Sequence, residues 1–238
     1  MNGHLNDCLI CDGKLEYLDA AEEMECVICH KKHLNNVRCI NGHYICDECH
    51  SKSGAKIILE VCRTTDSKNP IEIMQKLMAK PFIHMHGPEH HILAGAALLA
   101  AYHNSGGQLD LNKALNEIER RAKQVPGGAC GFWGCCGAAI STGMFISIAT
   151  GATPLSEREW SLSNLITSKV LRRISALGGP RCCKRNCFTA AKVAVEFTRE
   201  HLAVNMELPV DICCFFSPNN HECRGVLCPY SPQQSNSQ

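Results

Sequence analysis

The chain has 238 residues, 24 basic and 23 acidic side chains, a formal charge of +1 and 18 cysteines. That length is enough to bury a sizeable core, and the near-neutral balance argues against a surface built to grip a polyanion. No apolar run reaches the length of a membrane span, and none follows a basic start as a signal peptide would, so the sequence reads as a soluble cytoplasmic protein; in a reducing compartment so many cysteines point to metal ligation or catalysis rather than disulfides.

Residues 1–56 are dense in Cys and His, with short runs such as "LEYLD" that suit ribbon strands. Cys8 with Cys11 and Cys26 with Cys29 form C-x2-C pairs, and "CINGHYICDEC" adds Cys39, His43, Cys46 and Cys49. A C-x2-C knuckle turns two thiolates toward one ion, so eight such ligands make two tetrahedral sites, for which Zn2+ is the expected ion over rubredoxin-like iron. Two pairings fit the spacing. The sequential one joins Cys8, Cys11, Cys26 and Cys29, leaving Cys39, His43, Cys46 and Cys49; the cross-brace one joins Cys26 and Cys29 to Cys46 and Cys49 in RING-like order. The sequential pairing is slightly preferred. His30, His33 and His50 read as surface histidines. With six basic against ten acidic side chains, the first 62 residues are net acidic, which opposes nucleic-acid binding and fits a scaffold or docking surface for a protein partner.

The texture then changes. Asn69-Pro70 starts a helix over "IEIMQKLMAK", which ends before Pro81. "EHHILAGAALLAAYHN" is a buried Ala-rich helix closed by Gly106-Gly107, and "DLNKALNEIERRAKQV" is amphipathic through Leu111, Leu115 and Ile118. "CGAAISTGMFISIATG" is uncharged, as a helix packed on all sides would be. Ser156 with Glu159 makes a capping box for the helix "EREWSLSNLITSKVLRRISAL", which stops at Gly178-Gly179. "FTAAKVAVEFTREHLAV" is the last amphipathic helix, and residues 231–238 form a polar tail expected to be disordered.

Two constellations carry chemistry here. "HMHGPEHH" sets His84, His86, Glu89, His90 and His91 at a helix entry; the readings are a substrate-binding or acid/base loop, a metal site, or ordinary loop histidines. Ten further cysteines lie in "GACGFWGCC", "PRCCKRNC", "DICCFF" and "NNHECRGVLCPY". Thiolates gathered by folding from a few points, flanked by Gly and by Cys228-Pro229, suit one iron-sulfur cluster; buried structural thiols and redox dithiols are the other readings.

The stretches "HMHGPEHHILAGAALLAAYHN", "GACGFWGCCGAAISTG", "GGPRCCKRNCF" and "CPYSP" resemble an uncharacterised cysteine-rich family of methanogenic archaea and other anaerobes. More distantly, "PRCCKRNCFTAAKVAVEF" resembles the P-C-x-x-R-N-x-x-x-A-x-K-A stretch of iron-sulfur L-serine dehydratases and the related L-cysteine desulfidases, with Cys182, Arg185, Asn186 and Lys192 in step. That resemblance implies a 4Fe-4S cluster held by three cysteines with one iron open to substrate. Cys130 and Cys182 carry over as ligands, Leu171 stands near where another family cysteine should lie, and the missing ligand falls to the group of Cys213, Cys214, Cys223 and Cys228.

The expected architecture is mostly α, a helical iron-sulfur domain over 65–230 behind a small zinc-ribbon or treble-clef-like module. Its cofactors would be two Zn2+ and one 4Fe-4S cluster, with Cys130, Cys135, Cys182, Cys213, Cys223 and Cys228 as candidate cluster ligands. The functional expectation is a cluster-dependent lyase or sulfur-handling enzyme acting on a small amino acid or thiol, with His86, His90, Arg185 and Lys192 as catalytic candidates. The alternative is a redox, scaffold or cluster-assembly protein. An open iron favours the first reading, and a filled fourth position the second.

Overall fold

The computed structural model describes residues 8, 10, 11, 13–80 and 82–232, and most of the tail expected to be disordered lies outside them. The chain opens with an antiparallel hairpin, β1 (Leu15–Glu25) against β2 (Lys32–Cys39). Leu15 pairs with Cys39 and Glu25 with Lys32, and the register shifts between Tyr17 and Glu22. Few of its side chains are buried, so ion pairs line its face: Arg38 meets Glu16 at 2.6 Å and Glu22 at 2.9 Å. The module's buried residues among those described are Cys8 and Cys39 and a small cluster of Met24, Cys26, Tyr44 and Cys46. So small a core needs a staple.

The remainder is helical: α1 (Asp47–Thr64), α2 (Pro70–Met78), α3 (Glu89–Asn104), α4 (Leu111–Ala122), α5 (Ala129–Phe132), α6 (Gly137–Thr150), α7 (Arg158–Leu177) and α8 (Cys183–Leu202). The Asn69 side chain caps α2 by accepting the N–H groups of Ile71 and Glu72, and Asp110 caps α4 by accepting that of Lys113. The capping box foreseen at Ser156 does not form. Ser156 Oγ turns back to accept the Thr153 N–H at 3.0 Å, and α7 starts at Arg158 without a side-chain cap. The turn at Thr153 competes for the hydroxyl and wins.

Ala-rich α3, whose one charged side chain is Glu89 at its start, is the central helix, packed by α1, α2, α4, α6 and α8. Its small residues let neighbours come close: a Cβ at Gly95 would stand 2.5 Å from the Ile118 side chain. Phe145, Phe188 and Phe197 fill the spaces around it with Ile71, Leu77, Leu98 and Ile118. Among the described residues no helix is long and apolar enough to cross a membrane.

The residues up to Lys56 read as ribbon, yet α1 begins at Asp47. It carries Cys49 in its first turn and contributes Ile58, Leu59 and Cys62 to the main core. The module meets the helical domain through further contacts. The Gly127 N–H donates to Asp47 Oδ2 at 2.6 Å, His50 Nδ1 lies 3.3 Å from Glu89 Oε2, and Arg181 donates to the Tyr17 hydroxyl with its guanidinium 5.3 Å from that ring.

Candidate metal centres

The eight amino-terminal ligands gather into two groups, Cys8, Cys11, Cys39 and His43, and Cys26, Cys29, Cys46 and Cys49, with the ligand atoms of each group within 4.8 Å of one another. The pairing is therefore interleaved, not the sequential one that spacing slightly prefers. The hairpin is the reason. Cys26 and Cys29 sit at its turn, where Cys46 and Cys49 fold back over them at the start of α1. The pairing of Cys39 with Leu15 returns it to the segment that carries Cys8 and Cys11.

Both groups have the donor chemistry for a divalent ion. In the first, Cys11 Sγ lies 3.5 Å from Cys39 Sγ and 3.3 Å from His43 Nδ1; in the second, Cys29 Sγ lies 3.7 Å from Cys46 Sγ. Backbone N–H groups point at the sulfurs, from Ile10 to Cys8 at 3.4 Å, from Asn41 to Cys39 at 3.3 Å and from Cys46 to Cys26 at 3.3 Å. The Asn41 amide, with the Gly13 N–H, holds the Cys11 thiol down at about 6. Cys49 goes the other way, pushed up to about 12 by burial and by its neighbouring thiols. Close thiols cannot all ionise unless a cation sits among them, and Zn2+ or a similar ion between four such donors removes the conflict.

Of the bystander histidines, His30 is exposed beside Glu25. His50 is not a surface residue: its ring lies 4.6 Å from that of His84 at the seam with the helical domain.

The later cysteines do not form a third group tight enough for a single ion among the described residues. Four of them, Cys182, Cys214, Cys223 and Cys228, nonetheless line one small cavity with Met85, Arg185 and Asn220. Their sulfurs attract the same kind of donor seen at the two tetrads. The Arg185 N–H reaches Cys182 Sγ at 3.5 Å, with Asn220 Nδ2 at 3.7 Å, and the Gly225 N–H reaches Cys223 at 3.4 Å. Burial pushes the Cys214 thiol up to about 11 against the Phe216 N–H, and the nearby Cys182, Cys228 and Cys223 thiols add to the rise.

Three other cluster candidates lie apart from this cavity. Cys130 is on α5 and lines two other spaces, one of them shared with Cys183 and one with Cys136. Cys135 is half-buried, its N–H bonded to the Ala129 carbonyl. Cys213 does not line the cavity although its neighbour Cys214 does, and its carbonyl accepts from Gln75 Nε2 at 2.9 Å.

The catalytic candidates are likewise separated. His86 is buried, with Nε2 3.2 Å from both Asn220 Oδ1 and Glu222 Oε2, and Nδ1 accepting the Cys183 N–H at 3.5 Å. Burial and the Arg181 charge depress it to about 4. His90 is also buried and held neutral at about 4 by desolvation, with Nδ1 3.2 Å from the Gly87 carbonyl. Arg185 gives Nη2 to the carbonyls of Gly178 and Pro180 at 2.9 and 3.0 Å. Lys192 is on the exposed face of α8 and lines a different groove, with Glu196 and Asp211.

Two charges are buried beside these histidines, Glu89 of the helix-entry group and Lys184, which no sequence motif singled out. Lys184 donates Nζ to the His84 carbonyl at 2.7 Å beneath the Phe216 ring, and Glu89 accepts the His84 N–H at 3.0 Å between His50 and His90. The signal for Lys184 in the sequence was the run "PRCCKRN", which sets three cations beside two cysteines.

Fold and site together define a mostly helical, cysteine-rich protein with two four-ligand sites able to hold metal ions. The chain belongs to a family of unknown function, DUF5714, whose model matches residues 58–231. That range takes in all of the later cysteines, and both tetrads precede it. The chain matches no curated protein and no solved structure.

Proposed function

We propose that the chain is an iron-sulfur protein in which Cys182, Cys214, Cys223 and Cys228 hold a 4Fe-4S cluster for electron or sulfur handling, while the zinc-stapled module covers the helical domain and docks a protein partner. The observation that carries this reading is the convergence of four thiols and their N–H donors on one cavity, at separations too wide for one ion. The thiolates of a 4Fe-4S cluster each cap one of four irons at alternate corners of the cube, so they are spaced more widely than those around a single zinc. Such a cluster supplies one-electron chemistry, and its surroundings tune it. Here Cys228 is buried and the other three thiols are half-buried, N–H groups are donated to sulfur, and the cations Lys184 and Arg185 stand beside the cysteines.

Four cysteines leave no corner for a substrate, and His86 and Arg185 are already committed to protein partners. Both points favour the redox or scaffold reading. The lyase or desulfidase reading keeps one observation of its own, a cavity of about 150 Å³ under the module, lined by Cys130, Cys183, His86 and Arg181 and sized for a small amino acid or thiol.

Anaerobic purification with iron, zinc and acid-labile sulfide analysis tests the proposal. Matched iron and sulfide are expected, lost in Cys214→Ser and retained in Cys130→Ser and Cys213→Ser. Zinc without sulfide would reject the cluster, and loss in Cys130→Ser would restore the three-cysteine arrangement. A change in the EPR signal on adding serine or cysteine would favour the lyase.

A further inference from the structure

A groove of about 640 Å³ runs between the end of α7, the turn into α8 and the glycine-rich turns flanking α5. Its charged side chains are Arg172, Arg181 and Arg185, and among the described residues no Asp or Glu lines it. Guanidinium groups gathered without carboxylates repel one another, and on most surfaces an acidic neighbour relieves that.

Here little does. Arg172 has no hydrogen-bond or ion-pair partner for its guanidinium among the described residues. Among the described residues the Arg181 guanidinium has its hydrogen bond and ring contact with Tyr17 and no carboxylate paired with it. Arg185 spends Nη2 on two carbonyls and Nε on the Asn186 amide oxygen, which fixes the guanidinium at the groove without neutralising it. A Cβ built on Gly131, Gly134 or Gly179 would meet nothing within 4 Å, so the backbone there lies open to an incoming group. Leu171, Ile174 and Pro180 add an apolar wall.

We propose that this groove binds a small organic anion carrying phosphate or carboxylate groups, gripped by Arg172 and Arg181 with its apolar part against Leu171 and Ile174. Forked guanidinium donors match both kinds of oxyanion, and the volume falls in the range of cofactor and metabolite sites. Cys130 and Arg181 line this groove and the inner cavity alike, so the anion sits at the mouth of that cavity. The site needs neither the cluster nor a reaction.

The test uses the full, metal-loaded chain. Trp133 lies between the lining residues Gly131 and Gly134 and is 64% exposed, and Trp160→Phe makes it the sole tryptophan of the two. Titration with pyrophosphate and, separately, with citrate at constant ionic strength should give a saturable change in Trp133 emission for at least one of them. A response to pyrophosphate alone assigns phosphate recognition, and one to citrate alone assigns carboxylate recognition. Arg172→Gln and Arg181→Gln should each weaken binding at least tenfold, with Arg199→Gln, on α8, without effect. Should a variant lose its helical signal, protection of Arg172 and Arg181 from phenylglyoxal in the unaltered protein, mapped by mass spectrometry, gives the same answer. No saturable response to either probe, undiminished affinity in both Arg172→Gln and Arg181→Gln, or no protection would overturn the proposal.

Discussion

In the amino-terminal module the buried apolar residues among those described are Met24 and Tyr44 with four cysteines, whereas α3 alone buries Ile92, Leu93, Leu98, Leu99 and a run of alanines. The first region has too little surface to hide for burial to outweigh chain entropy, so ions in the two sites that its Cys and His groups could form would have to stabilise it. The second has enough. The difference teaches that one chain can be stabilised by two separable means, coordination in one part and packing in the other, and each predicts a different response to the same insult.

Metal removal should show the largest contrast. Structural zinc contributes on the order of 10–16 kcal/mol at neutral pH, so a strong chelator should unfold the hairpin while helical circular dichroism falls only slightly. Global loss of helix at the same chelator concentration would mean that the two regions do not separate. Core truncation is the converse. Phe145, fully buried against Tyr102, should lose about 3–5 kcal/mol on conversion to Ala, read by urea unfolding, with the zinc content of the folded protein unchanged.

Acid sharpens the comparison further. His90 is depressed to about 4 from 6.5, so the unfolded chain binds the extra proton between those values and stability rises with pH across that window, flattening below about 4. Its share is on the order of 3 kcal/mol. The slope of stability between pH 4 and 6.5 should therefore be shallower in His90→Gln than in the parent, and equal slopes would discard His90 as the source. The smallest effect belongs to Lys192. Exposed on α8, it should change stability by less than about 0.5 kcal/mol on conversion to Ala and leave metal content untouched; a larger loss would mean that it has a role near the thiols after all.

The helices α3 and α6 were legible because a helix that is apolar on every side has one comfortable place, the centre of a bundle. The ligands of the two tetrads were legible too, since thiol spacing shows in a string. Their partition was not: it depends on which residues a hairpin returns to one another, and Cys39 meets the Cys8 segment only through strand pairing. α1 was hidden for a related reason, its first turn being crowded with the Cys and His that mark a ribbon. Between Cys213 and Cys214 sequence offers no choice, because adjacent residues differ only in direction, and direction belongs to the fold. Lys192 stands about two turns along α8 from Arg185 and lines a different groove, a separation that shows only once the helix is set against its neighbours.

α1 joins the two regions as a single rod, with Cys49 at one end and Ile58, Leu59 and Cys62 locked among core side chains further along. Local opening is easiest where little is buried, so amide exchange along this one helix should be graded. The protons near Asp47 to His50 should follow the metal, exchanging fast once it is gone, while those from Ile58 onward should keep the slow clock of the core. A rod anchored so differently at its two ends converts the loading of a distant ion into a moving boundary between frayed and fixed backbone.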